Sequence, residues 1–416
     1  MRILHTSDWH IGHTLREHPR EQEHRAFLKW LTITMLAEQV DVLLICGDVF
    51  DSANPSAQSQ KMWYGFLADA HQALPELDIV VIGGNHDSAA RLDAPTPLLE
   101  SMRIHVTGGM PYLEGGGVDW EQLIVPLHDK TGTISAWLAS VPFLRQADLP
   151  PIADDVEDAL IDGVRNRYAE AVDILRTHGK VGQSLILTGH CYLSGGVLSE
   201  LSERKILGGN QHALPDDIFP EDISYVALGH LHLAQAVGGR EQVRYSGSPL
   251  PLSVSEIHYS HQVCIADFEQ GGCVAIRQIT IPRTVEFLRI PSIGAIPVED
   301  LLQKLDQLPD TAAVTNRNVW PYLEVAPLLD KPRPGLREEI LLALTDKAVR
   351  LVRIASSSST SLAPHTTTEG LSLDDITPEE VFVRCYRSRF PEDPSPEYIA
   401  AFSELLQHVE QGGAQQ

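Results

Sequence analysis

Arg2-Ile3-Leu4-His5-Thr6-Ser7-Asp8-Trp9-His10 opens the chain with a short apolar run that ends on two metal-ligand side chains. Four later segments repeat the arrangement: Gly47-Asp48, Gly84-Asn85-His86-Asp87, Gly189-His190 and Gly229-His230-Leu231-His232. The runs that precede the five segments, at 3–5, 42–46, 79–82, 185–187 and 225–228, have the length and composition of buried strands. Helical patterns alternate with them. Over 20–39, Phe27, Leu28, Leu31, Met35 and Leu36 fall on one face. Strand alternating with helix predicts an α/β fold over residues 1–280. In open α/β sheets, ligands collect beyond the carboxyl ends of the strands. The five segments are therefore expected to converge on one metal site.

Composition narrows the classes. The chain has 416 residues, too many for one ordinary core, and an apolar fraction of 43% that is normal for a globular protein. No apolar stretch is long enough to span a bilayer, so no membrane partner is expected. The first residues enter a strand at once, without the charged and apolar regions of a signal peptide. Five cysteines, Cys46, Cys191, Cys264, Cys273 and Cys385, form no C-x-x-C pair and fit a reducing cytoplasm. The balance of 32 Lys+Arg against 56 Asp+Glu, a net charge of −24, is the reverse of a nucleic-acid footprint. A polyanionic substrate would need most of its binding surface from elsewhere.

Carboxylate and amide oxygens together with imidazoles suit Mn²⁺, Fe²⁺ or Zn²⁺, and the lack of a thiolate cluster disfavours a structural zinc site. Residues two apart in an extended segment project the same way, so Asp8 with His10 and His230 with His232 are convergent pairs. Asp48 is the natural bridge between two cations, because only a carboxylate offers an anionic oxygen to each. Asn85 and His190 complete the set. His13 has the wrong spacing for a ligand and is expected at the surface or behind one. Cys191 reads as a packed thiol. Ser246-Gly247-Ser248-Pro249 reads first as a turn and second as a contact to substrate phosphate. Arg16, Arg20, Arg25 and Lys29 read as a solvated helix face, with a DNA backbone as the alternative.

The remainder divides by composition. Residues 283–354 carry a β-α-β-α-β pattern and are expected to form a small α+β domain. Residues 355–375, beginning in a run of serines, read as a linker. Residues 376–410 hold two helices, the first starting at Thr377-Pro378-Glu379-Glu380. Two tethered helices cannot form a core of their own. The length of the tether favours docking on a partner over docking at home.

The D-x-H, G-D, G-N-H-D, G-H and G-H-x-H order is similar to the calcineurin-like metallophosphoesterases. Within them the chain resembles the SbcD family, nuclease subunits of bacterial SbcCD complexes. The stretches that carry this are His5-Thr6-Ser7-Asp8-Trp9-His10-Ile11-Gly12, Cys46-Gly47-Asp48-Val49-Phe50-Asp51, Gly84-Asn85-His86-Asp87-Ser88, Ala227-Leu228-Gly229-His230-Leu231-His232 and Val243-Arg244-Tyr245-Ser246-Gly247-Ser248-Pro249. Ile376-Thr377-Pro378-Glu379-Glu380-Val381-Phe382 adds to it. The resemblance implies a metallophosphoesterase β-sandwich flanked by helices, a capping domain at 283–354 and a C-terminal helical tail. It implies two divalent ions, Mn²⁺ foremost, one on Asp8, His10, Asp48 and His232 and the other on Asp48, Asn85, His190 and His230. His86 would assist the leaving oxygen, Asp51 would orient His86, and Asp87 would steady a ligand. It further implies 3′→5′ exonuclease action on double-stranded DNA and endonuclease action on single strands and hairpins. The partner would be an SbcC-like coiled-coil ATPase gripped by the tail, around a homodimer within a heterotetramer. No G-x-x-x-x-G-K-[ST] segment is present, so ATP dependence would belong to that partner. Two other readings stay open on the residues alone: a phosphomonoesterase of the same superfamily, and a non-catalytic scaffold.

Overall fold

The computed structural model describes residues 1–150, 159–197, 213–358, 378–390, 393–395, 398–399 and 401–402. The chain divides into two compact units, Met1–Thr284 and Val285–Gln416.

The first unit is built on two six-stranded sheets. One runs Gly272–Thr280, Gln262–Glu269, Arg2–Thr6, Val42–Cys46, Asp78–Ile82, Ile104–Thr107; the four earliest strands are mutually parallel and the last two close an antiparallel edge. The other runs Gln235–Val237, Arg240–Tyr245, Tyr225–Gly229, Ser184–His190, Ile134–Ala139, Ile124–His128. Alternation along Val42–Cys46 explains the layering. Leu43 and Ile45 join Phe27, Leu31, Trp63 and Phe66 beneath the helices Glu21–Glu38 and Ala57–Ala73. Val42, Leu44 and Cys46 join Val125, Leu127, Ile186, Tyr225 and Ala227 from the other sheet. That strand is apolar on both faces because both are covered. A third cluster, including Tyr168, Val172, Leu175, Leu187 and Phe219, seats the helix Ala159–His178 on the second sheet. The α/β class and the helix-flanked sandwich both hold.

The expected strands appear, mostly one or two residues longer than the apolar runs. The 20–39 helix spans Glu21–Glu38, but Leu36 is 46% exposed instead of core-facing. Arg20 corrects the solvated-face reading: it is 1% exposed and forked onto Glu23 at 2.6 and 2.9 Å. Arg25, by contrast, is exposed and pairs with Glu21.

In the second unit, Phe287–Ile290, Tyr322–Val325 and Arg350–Ile354 form a parallel three-stranded sheet with helices Val298–Asp306 and Leu336–Ala343 in the crossovers. Leu301, Leu305, Leu323, Val325 and Ile340 form its core. Ser357–Ser358, expected in the linker, instead pair in parallel with Pro327–Leu329. The remainder of 355–375 from residue 359 on lies outside the described residues. The helix expected at Pro378 spans Pro378–Arg389, and Phe382 stacks on Phe402 with ring centroids 4.5 Å apart. Most of the second tail helix lies outside the described residues. Among the described residues no helix is long and apolar enough to cross a membrane.

Candidate metal centre

The seven candidate ligands lie at or just beyond the carboxyl ends of five parallel strands, Asp8, His10, Asp48 and Asn85 on three strands of the first sheet and His190, His230 and His232 on two of the second. The turns that carry them leave ordinary backbone space. Asp8, His10 and Asp48 have φ of 54°, 46° and 49°, in the left-handed region that non-glycine residues rarely enter. Backbone bonds hold them there: Asp8 N–H donates to Gly47 O at 3.0 Å and His10 N–H to Asp48 O at 2.9 Å. Gly47, with φ 87°, lies where a Cβ would strike the His190 ring, and a Cβ on Gly229 would strike the Cys46 carbonyl. The two sheets meet too closely here for any side chain.

Three groups of donors have atoms within 4.8 Å of one another: Asp8, His10, His232; His10, Asp48, His86; and Asp8, Asp48, His190. Asp48 Oδ2 lies 3.6 Å from His10 Nε2 and 3.4 Å from His190 Nε2, between the two halves of the set. Asn85 Oδ1 is 2.9 Å from His190 Nε2. His230 sits beside His190, ring centroids 5.3 Å apart, outside the three tight groups. Its amide donates to both Asp8 oxygens, at 2.9 and 3.1 Å.

The donors fit divalent cations. Both ring nitrogens of His10 are buried without a hydrogen-bond partner, a costly state that a bound cation relieves. His190 Nδ1 donates to Cys46 O at 2.9 Å, which turns Nε2 toward Asp48 and Asn85, where it can give a lone pair to a cation that displaces its proton. His232 is set in the same way by a residue the motifs did not reveal. Glu256, fully buried, accepts from His232 Nδ1 at 2.9 Å and from the Leu252 amide at 2.7 Å. It lies 24 residues further along the chain, and no spacing rule points to it.

Charge is tightly coupled. Burial alone would raise the Asp48 carboxyl, but His190, His10 and His86 outweigh it and hold Asp48 well below the usual carboxylate range. Burial alone would lower His190; the Asp48 charge and hydrogen bond, with Asp8, push it up to about 9. Asp87 is pushed up to about 6 by burial and the Asp48 charge. Its two oxygens accept from the amides of Val49, Gly84 and Phe50 at 3.0, 3.0 and 2.9 Å, tying the Asp48 turn to the Asn85 turn.

His86 donates its amide to Asp48 Oδ1 at 2.8 Å, and its Nδ1 lies 2.9 Å from the Asp51 main-chain oxygen. Asp51 thus reaches His86, as expected, but through its main chain; its carboxylate turns elsewhere. The carboxylate stands 3.3 Å from His10 Nδ1, at ion-pair distance but outside hydrogen-bond geometry. Ser246 and Ser248 are fully buried and bonded internally, Ser246 to Ser7 and Ser248 to the Leu250 carbonyl. Neither hydroxyl is presented to substrate. His13 is half-buried, its amide bonded to the His10 carbonyl. Cys191 packs against the Tyr168 hydroxyl, burial pushing its thiol up to about 12.

Residues 1–234 match the calcineurin-like phosphoesterase family, and residues 283–390 match the family described as the type 5 capsule protein repressor C-terminal domain. The chain is 42% identical, over 93% of its length and 94% of the relative's, to the SbcD subunit of the SbcCD nuclease of Rhodobacter capsulatus. The chain belongs to the SbcD family of calcineurin-like phosphoesterases. It is 34% identical to the same-named subunits of Escherichia coli K12 and Bacillus subtilis, over 68% and 65% of its length and 69% and 67% of theirs. For an SbcD-family chain the sequence reading missed Glu256 and the buried Arg20–Glu23 fork. Arg20 Nη1 also donates to the Pro251 carbonyl, and His24 Nε2 lies 2.9 Å from the Trp9 carbonyl. The turn carrying His10 and the loop leading to Glu256 are thus braced by one helix start.

Proposed function

We propose that the chain is the nuclease subunit of an ATP-dependent complex and hydrolyses DNA phosphodiesters with two divalent cations, Mn²⁺ foremost. The observation that carries this reading is the set of buried donors gathered around Asp48, with neither ring nitrogen of His10 in a hydrogen bond. One cation would be held by Asp8, His10, Asp48 and His232, the other by Asp48, Asn85, His190 and His230. When bound, such ions polarise a phosphate and acidify water.

The chain's own groups do the rest. Asp48 sits between the two halves and fixes His86 through its amide. His86, its ring fixed by the contact of Nδ1 with the Asp51 carbonyl, acts as proton donor to the departing 3′ oxygen. As water adds to phosphorus, losing a proton to solvent, and the P–O3′ bond breaks, the proton from His86 neutralises the leaving alkoxide. Glu256 holds His232, and Asp87 holds the two turns in register.

The reading extends to 3′→5′ exonuclease action on double strands and to endonuclease action on single strands and hairpins. It includes a cytoplasmic setting in DNA repair, replication and recombination. The helices from Pro378 onward would grip an SbcC-like coiled-coil ATPase, around a homodimer within a heterotetramer. That partner would supply the basic surface missing from a chain of charge −24. The experiment is incubation of the purified chain, alone and with its ATPase, on end-labelled hairpin and single-stranded DNA with Mn²⁺, Mg²⁺ or chelator. Metal-dependent cleavage is expected. Hydrolysis of phosphomonoesters without cleavage of DNA would replace the nuclease with a phosphatase.

A further inference from the structure

The loop that leaves the Ile134–Ala139 strand runs beside the Asn85–His190 half of the metal centre. Its Phe143 amide donates to the Gly83 carbonyl at 2.9 Å, tying the loop to the turn that carries Asn85 and His86. The Phe143 ring meets His190 edge-on, with centroids 6.2 Å apart. Two residues on, the Arg145 guanidinium lies 5.8 Å from the centre of the Phe143 ring. Its Nη2 donates to the Asp87 carbonyl at 3.3 Å, on the residue next to His86. The loop closes tightly behind it: the Arg145 amide donates to the Asp148 carboxylate at 2.8 Å, and the Asp148 amide to the Arg145 carbonyl at 2.8 Å.

Arg145 is thus held in a half-buried position by an aromatic face and a single carbonyl. Among the described residues no carboxylate pairs with its guanidinium. A guanidinium has five N–H donors in a fixed fork, and its preferred partners are carboxylate and phosphate. Among the described residues most of that fork is unused, in a chain rich in acids, on the flank of the proposed phosphodiester site. A point charge meant only to brace the loop would need neither the ring beneath it nor the spare donors.

We propose that Phe143 and Arg145 form a subsite for the phosphodiester adjacent to the scissile one. Arg145 forks that phosphate, and Phe143 gives an apolar face to the sugar or base between the two. The ligand class is a polynucleotide strand, so the inference rests on the nuclease reading and extends it to substrate length. A substrate with one phosphate cannot use the subsite; an oligonucleotide can.

The test compares the Mn²⁺-loaded full chain and Arg145→Ala on two substrates, an end-labelled single-stranded oligonucleotide and bis(p-nitrophenyl) phosphate. The loss in kcat/KM is expected to be roughly tenfold greater on the oligonucleotide, borne mainly by KM, with the log–log salt dependence of binding shallower by about one unit. Arg145→Lys should recover part of the loss, because it keeps the charge but not the fork. Equal losses on both substrates would make Arg145 a brace for the loops, and an undiminished oligonucleotide kcat/KM would remove it from the substrate path; either overturns the subsite. A wild-type chain that hydrolyses the small diester but cuts no oligonucleotide overturns the nuclease reading itself.

Discussion

The two units bury charge in opposite ways. In Val285–Gln416 the buried charged residues among those described are Glu324 and Arg350, and each is answered. Glu324 pairs with Arg289 at 3.0 Å and Arg353 at 3.5 Å; Arg350 donates to the Trp320 carbonyl and lies 4.0 Å from the Tyr322 ring centre. In Met1–Thr284, Asp8, His10, Asp48, Asp87, His190, His230, His232 and Glu256 are all buried, and His10 has no hydrogen-bond partner at either nitrogen. Burial of ionisable groups is expensive unless they are paired. The second unit satisfies its charges internally. The first leaves both His10 ring nitrogens without a hydrogen bond inside a set of candidate metal donors, an arrangement that suits a site holding cations.

Five measurements break or sharpen that contrast. Asp48→Ala removes the oxygens between both halves of the donor set and should cut turnover on the order of a thousandfold or more. Two retained, tightly bound Mn²⁺ ions per chain by metal analysis would exclude the shared role. His86→Ala should lower kcat by roughly a hundred- to a thousandfold with both ions kept; preserved turnover would end its role as proton donor. Glu256→Gln should weaken Mn²⁺ binding about 10- to 100-fold by calorimetry, since the imidazole it steadies is a proposed ligand; undisturbed affinity would make Glu256 merely a loop anchor. The pH dependence follows from His190, held up to about 9 by Asp48 and Asp8 against the effect of burial. At neutral pH it carries a proton that a cation must displace, so affinity should fall as pH drops below about 9, by about tenfold per unit for one proton. Binding that is flat between pH 6.5 and 8.5, and releases no proton, would contradict that. The smallest effect at the metal centre belongs to Ile340→Ala. It should cost the second unit about 2–5 kcal/mol in denaturation experiments and leave Mn²⁺ affinity as it was.

The site was largely legible because its information is local. A strand end plus a ligand residue is a short word, and five such words in one chain predict convergence without knowledge of the path between them. Val42–Cys46 was read with its true ends for a similar reason: it is covered on both faces and is apolar throughout. What escaped depends on topology. Glu256 reaches His232 only because the loop after Arg240–Tyr245 folds back, and an exposed Glu and a buried one look alike in sequence. Arg20 looked like a solvated arginine until Glu23 and the Pro251 carbonyl closed around it. Asp51 stands three residues after Asp48, close enough to His86 to invite the role of orienting it. The turn sends its carboxylate to His10 and leaves only its main-chain oxygen for His86. Ser357–Ser358 have the composition of a tether, but an edge strand asks only for backbone hydrogen bonds, and Pro327–Leu329 offers them.

The left-handed turns at Asp8, His10 and Asp48 have one further consequence. Backbone of this kind is disfavoured for any side chain and easy for glycine. A search for heat-resistant versions of the metal-free chain would therefore drift toward glycine at His10, whose ring has no hydrogen bond to lose, and collect sturdy, inert proteins. Durability and turnover pull in opposite directions there, so selection for hardiness has to be run with the ions present.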